Sequence, residues 1–294
     1  MTAGHDKAGA HAWCAPAASL RIAIGAAIWL PGCLAWAGYT NTATPTPLTT
    51  PTFTSTATIT PTRTPTPTPR QLTIRVPQDF SSIQAAIDNA VNGDEIIVSP
   101  GVYRENIHTR GKYLNLHGSN TRSWYTIANT IIDGGSQGSV ITLAGTEWIR
   151  PYDQPITNYL TIAGFTICHG SAENGGGING NGGGLWLESC IIRDNHAARD
   201  GGGIYDIWGE FKYLQIIRNV AGEMGGGLRD RGRRHSHIGG LIHSNRARFG
   251  GGIAFTETRP GTNIYPGGCV ITNNQAEVDG GGTYEVMLFA VCII

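Results

Sequence analysis

One local pattern, repeated five times, constrains what this chain can fold into. Phe165-Thr-Ile167 leads to Gly175-Gly-Gly177, and Cys190-Ile-Ile192 with Asn195 leads to Gly201-Gly-Gly203. Leu214-Gln-Ile216 with Asn219 leads to Gly225-Gly-Gly227, Gly240-Leu-Ile242 with Asn245 to Gly250-Gly-Gly252, and Cys269-Val-Ile271 with Asn274 to Gly280-Gly-Gly282. Each of the four Asn residues has an alanine two places on: Ala197, Ala221, Ala247 and Ala276. The units begin at 165, 190, 214, 240 and 269, so the steps are 25, 24, 26 and 29 residues. A period in the twenties with variable length describes stacked coils joined by loops of different size.

The residue types select the kind of coil. Two apolar positions lie two apart in each unit, as in Cys190 and Ile192 or Leu214 and Ile216, which is strand alternation with one face inward. No unit carries ten residues of helical periodicity, so a strand-plus-helix repeat does not fit. Short strands joined by Asn and Gly turns predict a parallel β-helix with coils ~4.8 Å apart. In such a stack the Asn column is expected to form a ladder, each side chain bonding the next coil's turn, and Asn tolerates αL geometry there. The glycines permit positive φ and close backbone approach at a corner.

The start of the chain has another character. Residues 22–34 form a 13-residue apolar run after Lys7 and Arg21, and Ala35-Trp-Ala37 offers a small-x-small cleavage site. Residues 1–37 therefore read as a secretory signal peptide, the run being too short to span a bilayer. Residues 38–71 read as a spacer: positions 41–69 hold 14 Thr and 7 Pro with Arg63 the only charge, a composition that cannot bury a core. The folded domain is expected over 72–294. With 21 basic and 21 acidic residues the chain carries no net charge, which gives no case for nucleic acid or an anionic membrane as partner.

At the front of the domain, Ser81–Ala90 predicts one amphipathic helix: Ile83, Ala86, Ile87 and Ala90 fall on one face, Ser81 or Ser82 can cap it, and Asn92-Gly93 ends it. Such a helix suits the open end of a first coil. The segments Val76-Pro-Gln-Asp-Phe-Ser-Ser-Ile-Gln-Ala-Ala-Ile-Asp-Asn-Ala90 and Gly93-Asp-Glu-Ile-Ile-Val-Ser-Pro-Gly-Val-Tyr-Arg-Glu-Asn106 resemble the opening of the pectin lyase-like superfamily. The Asn-x-Ala and triple-Gly units resemble polymorphic outer membrane protein repeats. Over residues 72–294 these resemblances imply a right-handed parallel β-helix. They imply no particular activity, since the superfamily's pectinesterase, pectate lyase and polygalacturonase signatures are absent from the sequence.

Four cysteines follow the signal: Cys168, Cys190, Cys269 and Cys292. Cys190 and Cys269 fall in one inward column with Phe165, Leu214, Gly240 and Cys292, three coils and ~14 Å apart, beyond disulfide reach. A stack of buried thiols is expected. Cys292 and Ile294 match Cys269 and Ile271 but have no Asn or glycines after them, so a longer reading frame and an exposed final cross-section are expected.

Candidate chemistry must come from outward columns and loops. Two places after each glycine triplet stand Trp186, Tyr205, Arg229, Ala254 and Tyr284, expected to form a flat aromatic stripe suited to sugar rings. One place further, Asp206 and Asp230 are expected on adjacent coils, ~5 Å apart, placed to bind Ca²⁺. Arg229 and Arg231 flank them, and such a set could neutralise a uronate carboxylate while a base removes the neighbouring proton. His235 and His237 are possible metal ligands lacking an evident third. Loops are expected at 123–129, 147–158 and 256–267. The expected function is a secreted or surface-tethered β-helix that binds polysaccharide or another cell-surface partner. The alternatives are a pectate lyase-like polysaccharide lyase and a structural adhesin shaft.

Overall fold

The computed structural model describes residues 72–145, 160–231, 236–255, 264–284 and 292–293. The expected signal and spacer, the segments 147–158 and 256–263, and His235 lie outside them. Every strand pairing is parallel, and the strands form three sheets of 13, 5 and 7 strands along one solenoid.

The register is the one that the repeat implies. Ile132, Ile167, Ile192, Ile216, Ile242 and Ile271 stack on successive coils, all at most 1 % exposed. A second inward column runs through Ile107, Ile141, Ile178, Ile204, Leu228 and Ile253 on the seven-stranded sheet. The column through Leu214, Gly240, Cys269 and Cys292 is also in register. Phe165, Cys190, Leu214 and Cys269 are buried in it. Burying one such aliphatic or aromatic side chain stabilises by about 1.5–3 kcal/mol, so the columns are the main source of cohesion. Cys168, Cys190 and Cys269 are buried and reduced. Cys168 does not belong to the inward stack: it lies one place beyond Ile167, in register with Asp133 and Arg193 on the outward side.

The third wall is built differently. Its inward column is alanine, through Ala172, Ala197 and Ala221 and through Ala247 and Ala276. The glycine triplets pass close to this wall. A Cβ on Gly202 would collide with the carbonyl oxygens of Val220 and Gly226. The first glycine of each triplet has φ of 65°, 66°, 68°, 61° and 72° at Gly175, Gly201, Gly225, Gly250 and Gly280, the left-handed region that a β-carbon disfavours.

Between the wall of stacked isoleucines and the alanine wall lies the Asn ladder. The Asn219 Oδ1 accepts from the backbone N–H (3.1 Å) and the side-chain amide (3.0 Å) of Asn195. The Asn245 Oδ1 does the same for Asn219, and that of Asn274 for Asn245. Each amide also donates to the carbonyl of an isoleucine one coil back, at Ile167, Ile192, Ile216 and Ile242. The left-handed residue is the one before each ladder Asn: Asp194, Arg218, Ser244 and Asn273 have φ between 53° and 56°. The αL geometry that Asn tolerates is taken by the preceding residue, which turns the corner while the Asn side chain reaches the neighbouring coil.

The front helix spans Ile83–Asn89 and buries Ile83, Ala86 and Ile87 against strands Thr73–Val76, Glu95–Val98 and Ile107–His108. Ser82 is the N-cap, accepting from the Ala85 N–H. The Glu105 carboxylate takes the free N–H groups of Ile83 and Gln84, and the Lys112 Nζ donates to the carbonyls of Ile87, Asp88 and Ala90. An anion at the first turn and a cation at the last match the helix dipole. The expected loop at 123–129 is a second helix, Trp124–Asn129, capped by Ser123. Only its Ile127 is buried, so it carries no periodicity to read.

Candidate carbohydrate-binding face and carboxylate cluster

The structure separates Trp186 from the other members of the expected stripe. Tyr205 pairs with Asn179 on one side and Arg229 on the other, and the column continues to Ala254 and Tyr284 on the seven-stranded sheet. Trp186 lies on the 13-stranded sheet, between Thr161 and Glu210. The reason is in the chain: this coil carries two glycine triplets, Gly175–Gly177 and Gly182–Gly184, and only the first belongs to the repeat. Asn179, not Trp186, is the counterpart of Tyr205.

Tyr205, Arg229 and Tyr284 do not form an open platform. Arg229 is 7 % exposed, and Ala254 between it and Tyr284 is buried. The Tyr284 ring is turned toward Phe249, with centroids 5.2 Å apart and planes at 43°.

Asp206 and Asp230 do fall on adjacent coils, with the Asp206 N–H donating to the Arg229 carbonyl at 2.9 Å. They were expected to face outward, yet they are 4 % and 2 % exposed. Alternation gives the reason: Asp230 lies two places after the inward Leu228 and in register with the core residue Phe255, and Asp206 lies two places after the inward Ile204. The Arg229 Nη1 donates to the Asp230 carbonyl, and the Arg231 Nη1 stands 3.8 Å from the Asp206 carboxylate. Burial disfavours the charged form of the Arg229 guanidinium and lowers its pKa, against the opposing pull of Asp200, Tyr205 and Asp230. Two carboxylates supply only part of the about six to eight oxygens that Ca²⁺ takes. Arg231 already stands where a cation beside Asp206 would sit. Asp206 thus has Arg231 as a counter-ion, and Arg229 lies against the Asp230 backbone. His237 falls on strand Ser236–His243.

Trp186 is the centre of a different and more open arrangement. It is partly exposed, and its Nε1–H donates to the Glu188 Oε2 at 3.3 Å. The Lys212 ammonium lies 4.6 Å from the ring centroid, a cation–π distance, and pairs with Glu210 at 3.2 Å. Glu188 and Lys212 are in register on neighbouring strands, as are Trp186 and Glu210. Tyr213, next along the strand, is 65 % exposed. Farther down the same sheet the Glu95 carboxyl is held below its ordinary range, chiefly by its hydrogen bond with His117 at 3.1 Å. Sequence reasoning did not find Glu188, Glu210 and Lys212. The signal that could have found them is the alternation Glu210-Phe-Lys212, whose apolar middle residue points inward and sends both charges out.

No family model, no curated protein and no solved structure matches this chain. Among the described residues no helix is long and apolar enough to cross a membrane.

Proposed function

We propose that this protein is a secreted or surface-held β-solenoid that binds polysaccharide on the outer face of its 13-stranded sheet, around Trp186. The Thr/Pro-rich segment 41–69 serves as the spacer that holds the solenoid away from its attachment surface. The observation that carries this reading is the partly exposed indole ringed by Glu188, Glu210 and Lys212. An aromatic face offers apolar contact to the C–H side of a sugar, and the carboxylates and ammonium offer partners to its hydroxyls. Lys212 is 44 % exposed on a flexible stem, so it can leave the ring for a ligand.

Titration with a panel of neutral and acidic polysaccharides, followed by calorimetry, tests the reading. Trp186→Ala should weaken binding by about tenfold or more, equivalent to about 1.4 kcal/mol. Trp186→Phe should retain most of it. Equal affinity for wild type and Trp186→Ala would place any binding elsewhere.

The carboxylates and arginines that adjacent coils bring together at Asp206, Arg229, Asp230 and Arg231 favour one further reading, a polysaccharide lyase. In that reading Arg229 or Arg231 neutralises a uronate carboxylate, an Asp removes the proton on the adjacent carbon, and the glycosidic C–O bond breaks to leave a carbon–carbon double bond. Incubation with polygalacturonate or alginate, with and without Ca²⁺, should then raise the ultraviolet absorbance of unsaturated product. A flat trace with every uronate polymer rejects it.

A further inference from the structure

At the corner between the wall of stacked isoleucines and the alanine wall, two adjacent coils bring together a carboxylate, a thiol and an imidazole. Asp133 ends the strand Thr130–Asp133, and Cys168 ends the strand Thr166–Cys168 directly beside it. His169 follows at φ 56°, a left-handed turn that swings its ring back over the pair. The His169 Nδ1 lies 3.1 Å from the Asp133 Oδ2 and 3.6 Å from the Cys168 Sγ, and the ligand atoms of all three residues fall within 4.8 Å of one another.

We propose that Asp133, Cys168 and His169 form a binding site for a zinc-class divalent metal ion, which clips the two coils together. A tetrahedral zinc with bonds of about 2.3 Å to sulfur and about 2.0–2.1 Å to nitrogen and oxygen holds S and N about 3.5 Å apart and N and O about 3.4 Å apart. The two distances here come within a few tenths of an ångström of those values, with one nitrogen common to both. A thiolate with an imidazole and a carboxylate selects zinc over magnesium or calcium, which take oxygen ligands.

The surroundings fit the assignment. The Gly135 N–H donates to the Asp133 Oδ1 at 2.9 Å, which orients the carboxylate and leaves Oδ2 for the metal. Cys168 is 1 % exposed, while the His169 side chain is 48 % exposed. The thiol therefore approaches from the protein side and a fourth position faces solvent, open to water or to an oxygen of a bound ligand. Arg193 and Asp194 from the next coil stand near the thiol, and Arg104 stands near Asp133.

The test uses the purified full chain stripped with chelator and titrated with Zn²⁺ and Co²⁺. One equivalent of zinc should bind and raise the melting temperature. Cobalt should give a thiolate-to-metal charge-transfer band in the near ultraviolet. Cys168→Ser should abolish that band, and Asp133→Asn and His169→Asn should each weaken zinc binding by about tenfold or more. Both replacements suit the backbone: Asn keeps the acceptor for Gly135, and it tolerates the left-handed φ at 169. Stoichiometry or cobalt absorbance unchanged in the triple variant would put the metal elsewhere and overturn the proposal. Wild-type protein that takes up no zinc at micromolar concentration would overturn it equally.

Discussion

Residues 165–284 and residues 72–145 belong to one solenoid, but the bonds that hold their corners differ in kind. In the later coils one device is copied: Asn195, Asn219, Asn245 and Asn274 each bond their neighbour twice and an isoleucine carbonyl once. In the earlier coils each corner has its own clamp. Asp94, 1 % exposed, takes the N–H groups of Leu72 and Val91; Glu105 and Lys112 hold the two ends of the front helix; and Asn106 donates to the Gly134 and Ser139 carbonyls. The copied device spreads its bonds over neighbours; Asn195, Asn219 and Asn245 are buried and Asn274 is half-buried. The single clamps satisfy backbone groups that no regular coil would leave free, at a helix end or an insertion. A repeat thus specifies its own continuation, while an irregular region must be specified residue by residue.

The inward columns run through both regions, and breaking one should have the largest effect. Leu214→Asp would place an unpaired carboxylate 2 % exposed between Cys190 and Gly240, and should cost more than about 4 kcal/mol. Thermal melting checks it, and an unchanged midpoint would refute the register.

The ladder comes next. Asn219→Ala strips partners from the N–H and amide of Asn195 and from the Ile192 carbonyl, all buried, and should cost about 3 kcal/mol. Asn106→Ala removes one partner from each of two carbonyls in a part-buried setting, and should cost about 1 kcal/mol. Equal losses in denaturant unfolding would erase the distinction between copied and single devices.

The smallest expected effect is on the corner's outer side. Arg218 bonds Asp194 through two nitrogens, each at 2.8 Å, and Arg193 adds a bond at 2.6 Å. Burial alone would raise the Asp194 carboxyl, but these bonds outweigh it and hold the pKa below the ordinary value. A depressed folded pKa contributes stability that is present above the unfolded pKa of about 3.9 and is lost as pH falls through the folded value. With Arg218 55 % exposed, screening limits the gain to about 0.5 kcal/mol. Asp194→Asn, which tolerates the left-handed backbone, should flatten that part of the acid limb below about pH 4. A limb of identical slope would show that the pair contributes nothing.

These contrasts also show what can be read without coordinates. Repetition made the solenoid, its inward columns and the Asn ladder legible, because each unit confirms the others. The second helix was not legible: Trp124 and Tyr125 are 43 % and 81 % exposed, and one buried isoleucine makes no pattern. Trp186 was assigned to the wrong column because two triplets share a coil and nothing in the glycines says which one counts. The burial of Asp206 and Asp230 was legible and missed. Each lies two places after an inward residue, Ile204 or Leu228, so alternation already turns it away from solvent.

The central claim is that the buried Asn ladder makes residues 165–284 the most cooperative part of the molecule. Residue-resolved native-state hydrogen exchange tests it directly. The backbone amides of Asn195, Asn219 and Asn245 should exchange only through the largest opening, more slowly than those of Ile83, Gln84 and Leu72, which rest on single carboxylates. Ladder amides that exchange as fast as the helix and Leu72 amides, or faster, would contradict the account.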